Sequence, residues 1–313
     1  MKEMNAIRIA FEIKHNGEKQ PPGYNFVGLM LILDIKIDFQ RKSRMVARGD
    51  QTAPPSSITY SSVVSRESVR IAFLVAALND LDVTMFDIGN AYLLAPAAEK
   101  LDTVLGPEFG EDQEKIGVIT RAIYGLKSSG AAFRKFFAET LMDLGFKFCL
   151  ADADVWRKSA TKKNGTKYYE YALTYVDDCL VISENTIWVS KGLTKDPYNY
   201  KLKDVGKPTK YLGAEIGKFT IGDKQTWYMS ARLYLKNAIG EIDQTWGNLS
   251  KLFPTGRGMD IPARPKYHPE LDDTQLLDDD NIQIYQSYIG IIRWAIELGR
   301  VDLCMAGGLM ARF

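Results

Sequence analysis

The sequence is short of the residues that build metal cages and cross-linked scaffolds. Its three cysteines, Cys149, Cys179 and Cys304, fall in no metal-ligand spacing, and its two histidines are His15 and His268. A structural zinc site is therefore excluded, and three scattered thiols suit a reducing compartment rather than a disulfide framework. No apolar run approaches the ~20 residues that a membrane-spanning helix needs. Val27–Leu33 and Ile71–Leu78 are among the longest such runs and read as core. Met1-Lys2-Glu3-Met4 shows no signal-peptide pattern, and no repeat or low-complexity tract stands out. Net charge is also scarce, +1 over 313 residues, so the chain as a whole does not advertise a polyanionic partner. That balance is uneven. Glu270, Asp272, Asp273, Asp278, Asp279 and Asp280 form an acidic segment that reads as a solvated loop, and setting those six aside leaves +7 on the rest.

What the sequence does have is a pair of aspartates between two apolar runs, Ala172-Leu173-Thr174-Tyr175-Val176-Asp177-Asp178-Cys179-Leu180-Val181-Ile182. This is the pattern of two strands joined by a two-residue turn at the Asp pair. Two carboxylates at such a tip repel each other unless a positive object sits beside them. Hard oxygen ligands suit Mg²⁺, which is held by one or two carboxylates plus substrate phosphates. A third carboxylate, Asp87, ends another apolar run, Val83-Thr84-Met85-Phe86-Asp87. One acid on a strand facing two on a hairpin is the arrangement that two-metal phosphoryl transfer needs. The plain alternative for Asp177-Asp178 is an ordinary turn, as for the other acidic pairs of the chain.

Asp87-Ile88-Gly89-Asn90-Ala91-Tyr92 resembles the first catalytic motif of reverse transcriptases, and Tyr175-Val176-Asp177-Asp178 resembles their catalytic tetrapeptide. The wider match is to the copia-type retrotransposon reverse transcriptases. It is carried by Arg41-Lys42-Ser43-Arg44-Met45-Val46-Ala47-Arg48-Gly49 and Tyr60-Ser61-Ser62-Val63-Val64-Ser65-Arg66. Ala122-Ile123-Tyr124-Gly125-Leu126-Lys127-Ser128-Ser129 and Tyr211-Leu212-Gly213-Ala214-Glu215-Ile216 continue it in the same order.

That resemblance implies an α+β right-hand polymerase with an antiparallel palm sheet, β-rich fingers and a helical thumb. Residues 1–220 are expected to be fingers and palm, and 221–313 the thumb and the start of a connection region. It implies catalytic Asp87, Asp177 and Asp178, with two Mg²⁺ (or Mn²⁺) ions held by these and by Ile88. Lys42, Arg44, Tyr92 and Tyr124 are implied to bind the deoxynucleotide, Tyr92 as the aromatic that excludes a 2′-OH. Gly125, Lys127, Tyr175, Leu212 and Gly213 are implied to meet template or primer. Lys203 is a candidate general acid beside the leaving pyrophosphate, with a solvated lysine as its alternative. The implied partners are a primed RNA or DNA template, a dNTP, and the rest of a Gag-Pol polyprotein, with integrase upstream and ribonuclease H downstream. No membrane partner is implied. The implied location is a cytoplasmic virus-like particle, or the nucleus. The competing reading is a transposon fragment that keeps the fold and binds nucleic acid without polymerising. A DNA-templated palm polymerase is a third.

Local patterns add expectations of their own. Residues 4–13 read as a short helix or strand, and Leu29 to Ile37 and Lys42 to Arg48 as strands. In the second of these, period-2 spacing puts Lys42, Arg44 and Arg48 on one face. Such a basic ribbon suits a triphosphate, or equally an edge strand protected by charge. Ser65 reads as the N-cap of a helix from Arg66 to about Asn79, and Ser129 as the N-cap of one from about Gly130 to Leu144. The second helix carries Ala132, Phe133, Phe136, Phe137, Leu141 and Leu144 on one stripe, with Gly145 as its C′ residue. Val118 to Ile123 reads as a strand, Asp152 and Asp154 as turn and capping residues, and Lys201-Leu202-Lys203 as a short strand. Further helices are expected after Ile182, from Ser230 to Ile242 and from Ile284 to Leu298, with a loop at Pro254 to Glu270.

Overall fold

The computed structural model describes residues 6–15, 17–35, 41–246, 268 and 275–312. The expected loop at Pro254 to Glu270 lies outside them but for His268, as does the end of the first expected strand, Lys36 and Ile37. The chain divides into two compact units, Met1–Lys207 and Pro208–Phe313.

The acidic hairpin lies inside the principal sheet of the first unit. Six strands follow in the order Leu202–Gly206, Asp82–Ile88, Asp178–Ser183, Lys167–Tyr175, Val155–Thr161 and Lys147–Phe148. Every neighbouring pair is antiparallel. Asp178–Ser183 is buried on both faces after its first residue, which explains why it reads as a continuous apolar run. On one face, Phe86, Ile88, Cys179 and Val181 pack with Phe133, Phe137 and Leu141 of the helix Ser129–Asp143. Ala132, Phe136 and Leu144 flank that core, so the whole expected stripe faces the sheet. Gly145 ends the helix at φ 89°, the left-handed C′ conformation that glycine adopts without a Cβ penalty. The helix Arg66–Leu78 packs against the strands Asp82–Ile88 and Asp178–Ser183. Its N-cap is Ser65, whose hydroxyl accepts from the Ser68 amide.

A second sheet joins Phe11–Ile13, Ile116–Ile119, Leu101–Val104 and Asn25–Phe26 in that order. The N-terminal segment is therefore a 3₁₀ turn, Arg8–Ala10, running into a strand. A separate hairpin pairs Leu29–Ile35 with Arg41–Ala47. Met45 and Ala47 are buried while Arg44 and Arg48 are exposed, so the expected alternation of basic residues on the outer face holds.

The second unit begins with a three-stranded sheet, Lys210–Tyr211, Ala214–Ile221 and Lys224–Ser230. The helices Arg232–Trp246, Asp279–Glu297 and Cys304–Met310 follow. Two differences from the sequence reading stand out here. The strand Lys224–Ser230 is unanticipated, because its sequence Lys-Gln-Thr-Trp-Tyr-Met-Ser does not alternate apolar and polar residues and none of its residues is buried, and its pairing with Ala214–Ile221 organises it. The acidic run 278–280 is not a loop. Asp278 caps the helix by accepting from the Asn281 amide, and Asp279 and Asp280 occupy its first turn, where acids are favoured by the helix dipole. The helix thus starts five residues before the apolar pattern does.

The hairpin Leu29–Ala47 is tied to the loop after Ile123 by close backbone contact. The Ala47 amide donates to the Tyr124 carbonyl at 2.7 Å. Gly125 has a φ of 90°, and a Cβ there would lie 2.0 Å from the Ala47 carbonyl oxygen and 2.6 Å from Val46 Cγ1. Gly125→Ala is expected to destabilise the fold by about 3 kcal/mol or more, adding left-handed strain to a backbone clash. The check is a urea titration: the midpoint falls while the slope is unchanged.

Candidate active site

Asp178 is the first residue of its strand and stands directly across from Asp87 on the neighbouring strand. Asp177 precedes it in the turn. The pairing of Tyr175 with Asp178 makes Val176 and Asp177 the two turn residues, so the turn lies one residue earlier than the Asp pair itself. The reason is packing: Cys179 and Val181 face the core with Phe86, and that register draws Asp178 into the sheet. The shift leaves Val176 at φ 55°, an outlier for a β-branched residue that costs about 1–3 kcal/mol.

The strained turn is clamped from behind. The Thr174 amide donates to the Asp154 carbonyl at 3.0 Å, and the Val64 amide donates to the Thr174 carbonyl at 3.0 Å. Asp154 is itself buried, with its carboxylate taking Arg134 Nε at 2.8 Å and the Ser62 hydroxyl. Asp152 accepts from the Ser65 amide, the Ser68 hydroxyl and the Asp154 amide, the turn and capping work expected of it. Arg134 and Ser62 are the residues that sequence reasoning misses. The helix carries two adjacent basic residues, Arg134 and Lys135, Ser62 stands in the Tyr60–Arg66 motif without a role of its own, and nothing in the spacing connects either partner to Asp154.

The three acids influence one another. Asp178 is pushed up to about 6, first by burial and then by the charges of Asp177 and Asp87. Burial also raises Asp177, with Asp87 adding to it, while its own backbone amide and the charges of Lys203 and Arg44 pull the other way. The Asp177 carbonyl accepts from the Ile88 amide at 2.8 Å, which locks the turn to the end of the Asp87 strand. Lys203 stands across from Asp87 on the edge strand, with Nζ 3.5 Å from Asp87 Oδ1 and most of its side chain exposed. That is a largely solvated ammonium beside a carboxylate, which agrees with the solvated-lysine alternative as well as with the general-acid one.

The aromatic and basic candidates reach the same place. The Tyr92 hydroxyl is raised by burial and then by the Asp177 charge. Its ring meets Tyr124 edge-on at 4.8 Å, and Arg44 places its guanidinium 5.5 Å from the Tyr124 ring centre. Tyr175 pairs across the hairpin with Asp178. The structure therefore gathers Asp87, Ile88, Asp177, Asp178, Lys203, Tyr92, Tyr124, Tyr175 and Arg44. Lys42 shares the hairpin face of Arg44 and makes no described contact with the acids. Gly125 is occupied with the Ala47 backbone, and Lys127 donates to the Thr52 carbonyl at 2.6 Å. Ser129 is no N-cap: it is the first helical residue, and its hydroxyl donates to the Ile123 carbonyl. Leu212 and Gly213 form the turn between the first two strands of the second unit.

Among the described residues, no group of three or more His, Cys, Asp or Glu side chains is gathered closely enough to hold a metal ion, Asp87, Asp177 and Asp178 included. The side-chain oxygens that the paired strand ends offer are all carboxylate. This fits Mg²⁺, a hard cation that keeps part of its shell for water and substrate phosphates, and it does not fit a cage-binding metal such as structural zinc.

Comparison with known proteins agrees with this geometry. A family model described as reverse transcriptase (RNA-dependent DNA polymerase) matches residues 13–254. The Transposon Ty1-DR5 and Ty1-ML1 Gag-Pol polyproteins of Saccharomyces cerevisiae are each 26% identical over 301 residues, covering 93% of this chain and 16% of their own length.

The carboxyl group of Asp178 gives a test of the charge crowding that needs no substrate. Its proton is held more tightly in the folded than in the unfolded chain, so the folded state loses stability as pH rises from about 4 to about 6 and stays lower above that. Asp178→Asn is expected to stabilise the metal-free protein at pH 7 by an amount on the order of 1 kcal/mol, allowing for the solvent screening of a partly exposed group. Thermal melts of both proteins should converge near pH 4.

The model match spans more than three quarters of the sequence, and with it the chain belongs to the reverse transcriptase (RNA-dependent DNA polymerase) family, on its copia-type branch.

Proposed function

We propose that this chain is the polymerase unit of a copia-type retrotransposon and copies a primed RNA template into DNA. The observation that carries the reading is the placement of Asp87 opposite Asp178, with Asp177 in the adjoining turn. In this reading the six-stranded antiparallel sheet is the palm, the Leu29–Ala47 hairpin belongs to the fingers, and the helices of the second unit belong to the thumb. Asp87 and Asp177 would hold two Mg²⁺ (or Mn²⁺) ions together with the Ile88 carbonyl, with Asp178 adding charge. When bound, such ions activate the primer 3′-OH and steady the leaving pyrophosphate.

The remaining roles follow from where the side chains stand. Arg44, braced against the Tyr124 ring, is suited to hold the triphosphate, with Lys42 beside it on the same strand. Tyr92 lies in contact with Tyr124 and near Asp177, where a ring under the incoming sugar would clash with a 2′-OH. Lys203, close to Asp87, is placed to deliver a proton as pyrophosphate departs. Gly125, Lys127 and Tyr175 would meet the template side, and Leu212 with Gly213 the primer. The chain spans 16% of the length of the curated relatives it matches. We extend the proposal to a Gag-Pol context, with integrase and ribonuclease H as neighbours in the polyprotein. The site of action is then a cytoplasmic virus-like particle, or the nucleus.

Primer extension on an RNA template with Mg²⁺ tests the reading. Wild type should extend the primer, and Asp177→Asn should lose at least about 10³-fold in rate, as expected when a group aimed at the reacting charge is removed. A folded wild type that binds primer-template and fails to extend it would favour the non-polymerising fragment. Extension on DNA templates alone would favour the DNA-templated polymerase.

Substrate choice gives a separate check. Tyr92→Val should raise the relative efficiency with ribonucleotides by about 10²-fold, because it removes a steric exclusion rather than a contact. The ratio of kcat/KM for dTTP and UTP reads it. An unchanged ratio would return Tyr92 to the role of a core tyrosine.

A further inference from the structure

Leu212 and Gly213 make a two-residue hairpin turn, with Tyr211 facing Ala214 across it. Both turn residues are left-handed, at φ 48° and 82°. Glycine adopts this freely, whereas for leucine it is disfavoured, so the surroundings must impose it. The strands on either side are anchored: Tyr211 and Ala214 are buried, and the Ile216 amide donates to the Thr209 carbonyl at 2.9 Å.

The turn itself rests on a tryptophan. A Cβ added at Gly213 would lie 3.3 Å from Cζ2 and Nε1 of Trp294 and 3.6 Å from its Cε2. The indole therefore packs against Gly213, closely enough that an added Cβ would require it to shift by a few tenths of an ångström. Trp294 is carried near the end of the helix Asp279–Glu297, where Ala295 and Leu298 are buried. Gly307 of the helix Cys304–Met310 packs against Ile292 and Ile296 of the same helix. The indole thus stands on a fixed support. It keeps 37% of its surface exposed.

We propose that Trp294 is a positioning residue for the primer strand: its indole sets the height and shape of the Leu212–Gly213 turn against which the primer end is held. This rests on the reading of that turn as a primer contact. The consequence is kinetic, because displacing the attacking hydroxyl by about 1 Å costs about 10²-fold in rate. Loss of the indole should slow the chemical step more than it weakens nucleotide binding.

Single-turnover extension at saturating dNTP tests this, with the KM for dNTP and the thermal melt measured on the same proteins. Trp294→Ala should extend at least about 10-fold more slowly with KM within about threefold of wild type, and Trp294→Phe, which keeps a flat ring, should recover most of the rate. Gly213→Ala should also slow extension, and by a smaller factor in the Trp294→Ala background than in the wild type, since the strain of a side chain at φ 82° remains while the added Cβ no longer has a ring to meet. If Trp294→Ala melts below the assay temperature, Trp294→Leu takes its place in the cycle. A wild-type rate for Trp294→Ala, losses that multiply in the double variant, or a change in KM alone would overturn the inference while the wild type still extends. Failure of the wild type itself would overturn the polymerase reading, and this inference with it.

Discussion

Three carboxylates held at the ends of paired strands repel one another, and much of the first unit is arranged around that repulsion. Like charges directly opposite on an antiparallel pair are destabilising, yet Asp87 and Asp178 occupy such a pair. The strands must therefore be held by something stronger. Asp178–Ser183 is buried on both faces beyond Asp178, and the strands beside it supply paired backbone along its length. Burying the five apolar or small residues behind one acid outweighs the local charge penalty, at roughly 1.5–3 kcal/mol for each large side chain. Lys203 and Arg44 then offset part of the remaining negative charge from the two sides.

The same packing explains the strained turn. Because the strand register is set by Cys179 and Val181 facing Phe86, the chain must reverse over Val176 and Asp177. A β-branched residue there is unfavourable by itself. The clamp on Thr174 from Val64 and Asp154 fixes the chain two residues before the turn, and the Asp177 carbonyl is held by Ile88 just after it. Asp154 is a buried charge, and such a charge requires a partner. Arg134 and Ser62 supply it.

The sequence makes some of this legible and hides the rest for physical reasons. Helices with a clear apolar face are readable: the Ser129–Asp143 stripe buries the residues its spacing names, because 3.6-residue periodicity survives any tertiary context. The two apolar runs around Asp177-Asp178 are readable as strands because they are short, continuous and rich in β-formers, as strands buried on both faces are. The turn is misplaced by one residue because register is decided by the opposing helix and strand, which no local pattern reports. The acidic run at Asp278 reads as solvated because its cap role appears only once the helix behind it is known. Lys224–Ser230 is invisible because its strand character comes from its partner, Ala214–Ile221. The Arg134–Asp154 pair is separated by twenty positions, and charge pairing at that distance leaves no trace in spacing.

A site assembled in this way is less stable without its ligands than with them. Each group that binds the folded chain and lowers the repulsion among Asp87, Asp177 and Asp178 adds stability by mass action, in proportion to the logarithm of its concentration over its dissociation constant. A divalent cation does this by charge, and a nucleotide does it only together with cations, since a triphosphate alone would add more negative charge to the same place. On the proposed reading, Arg44 would be the chain's own contribution to that second step, because its guanidinium lies against Tyr124. On the same reading, the repulsion among the three acids would be one contribution to such a cation's affinity, since binding relieves part of it, and the desolvation and coordination of the ion would make up the rest.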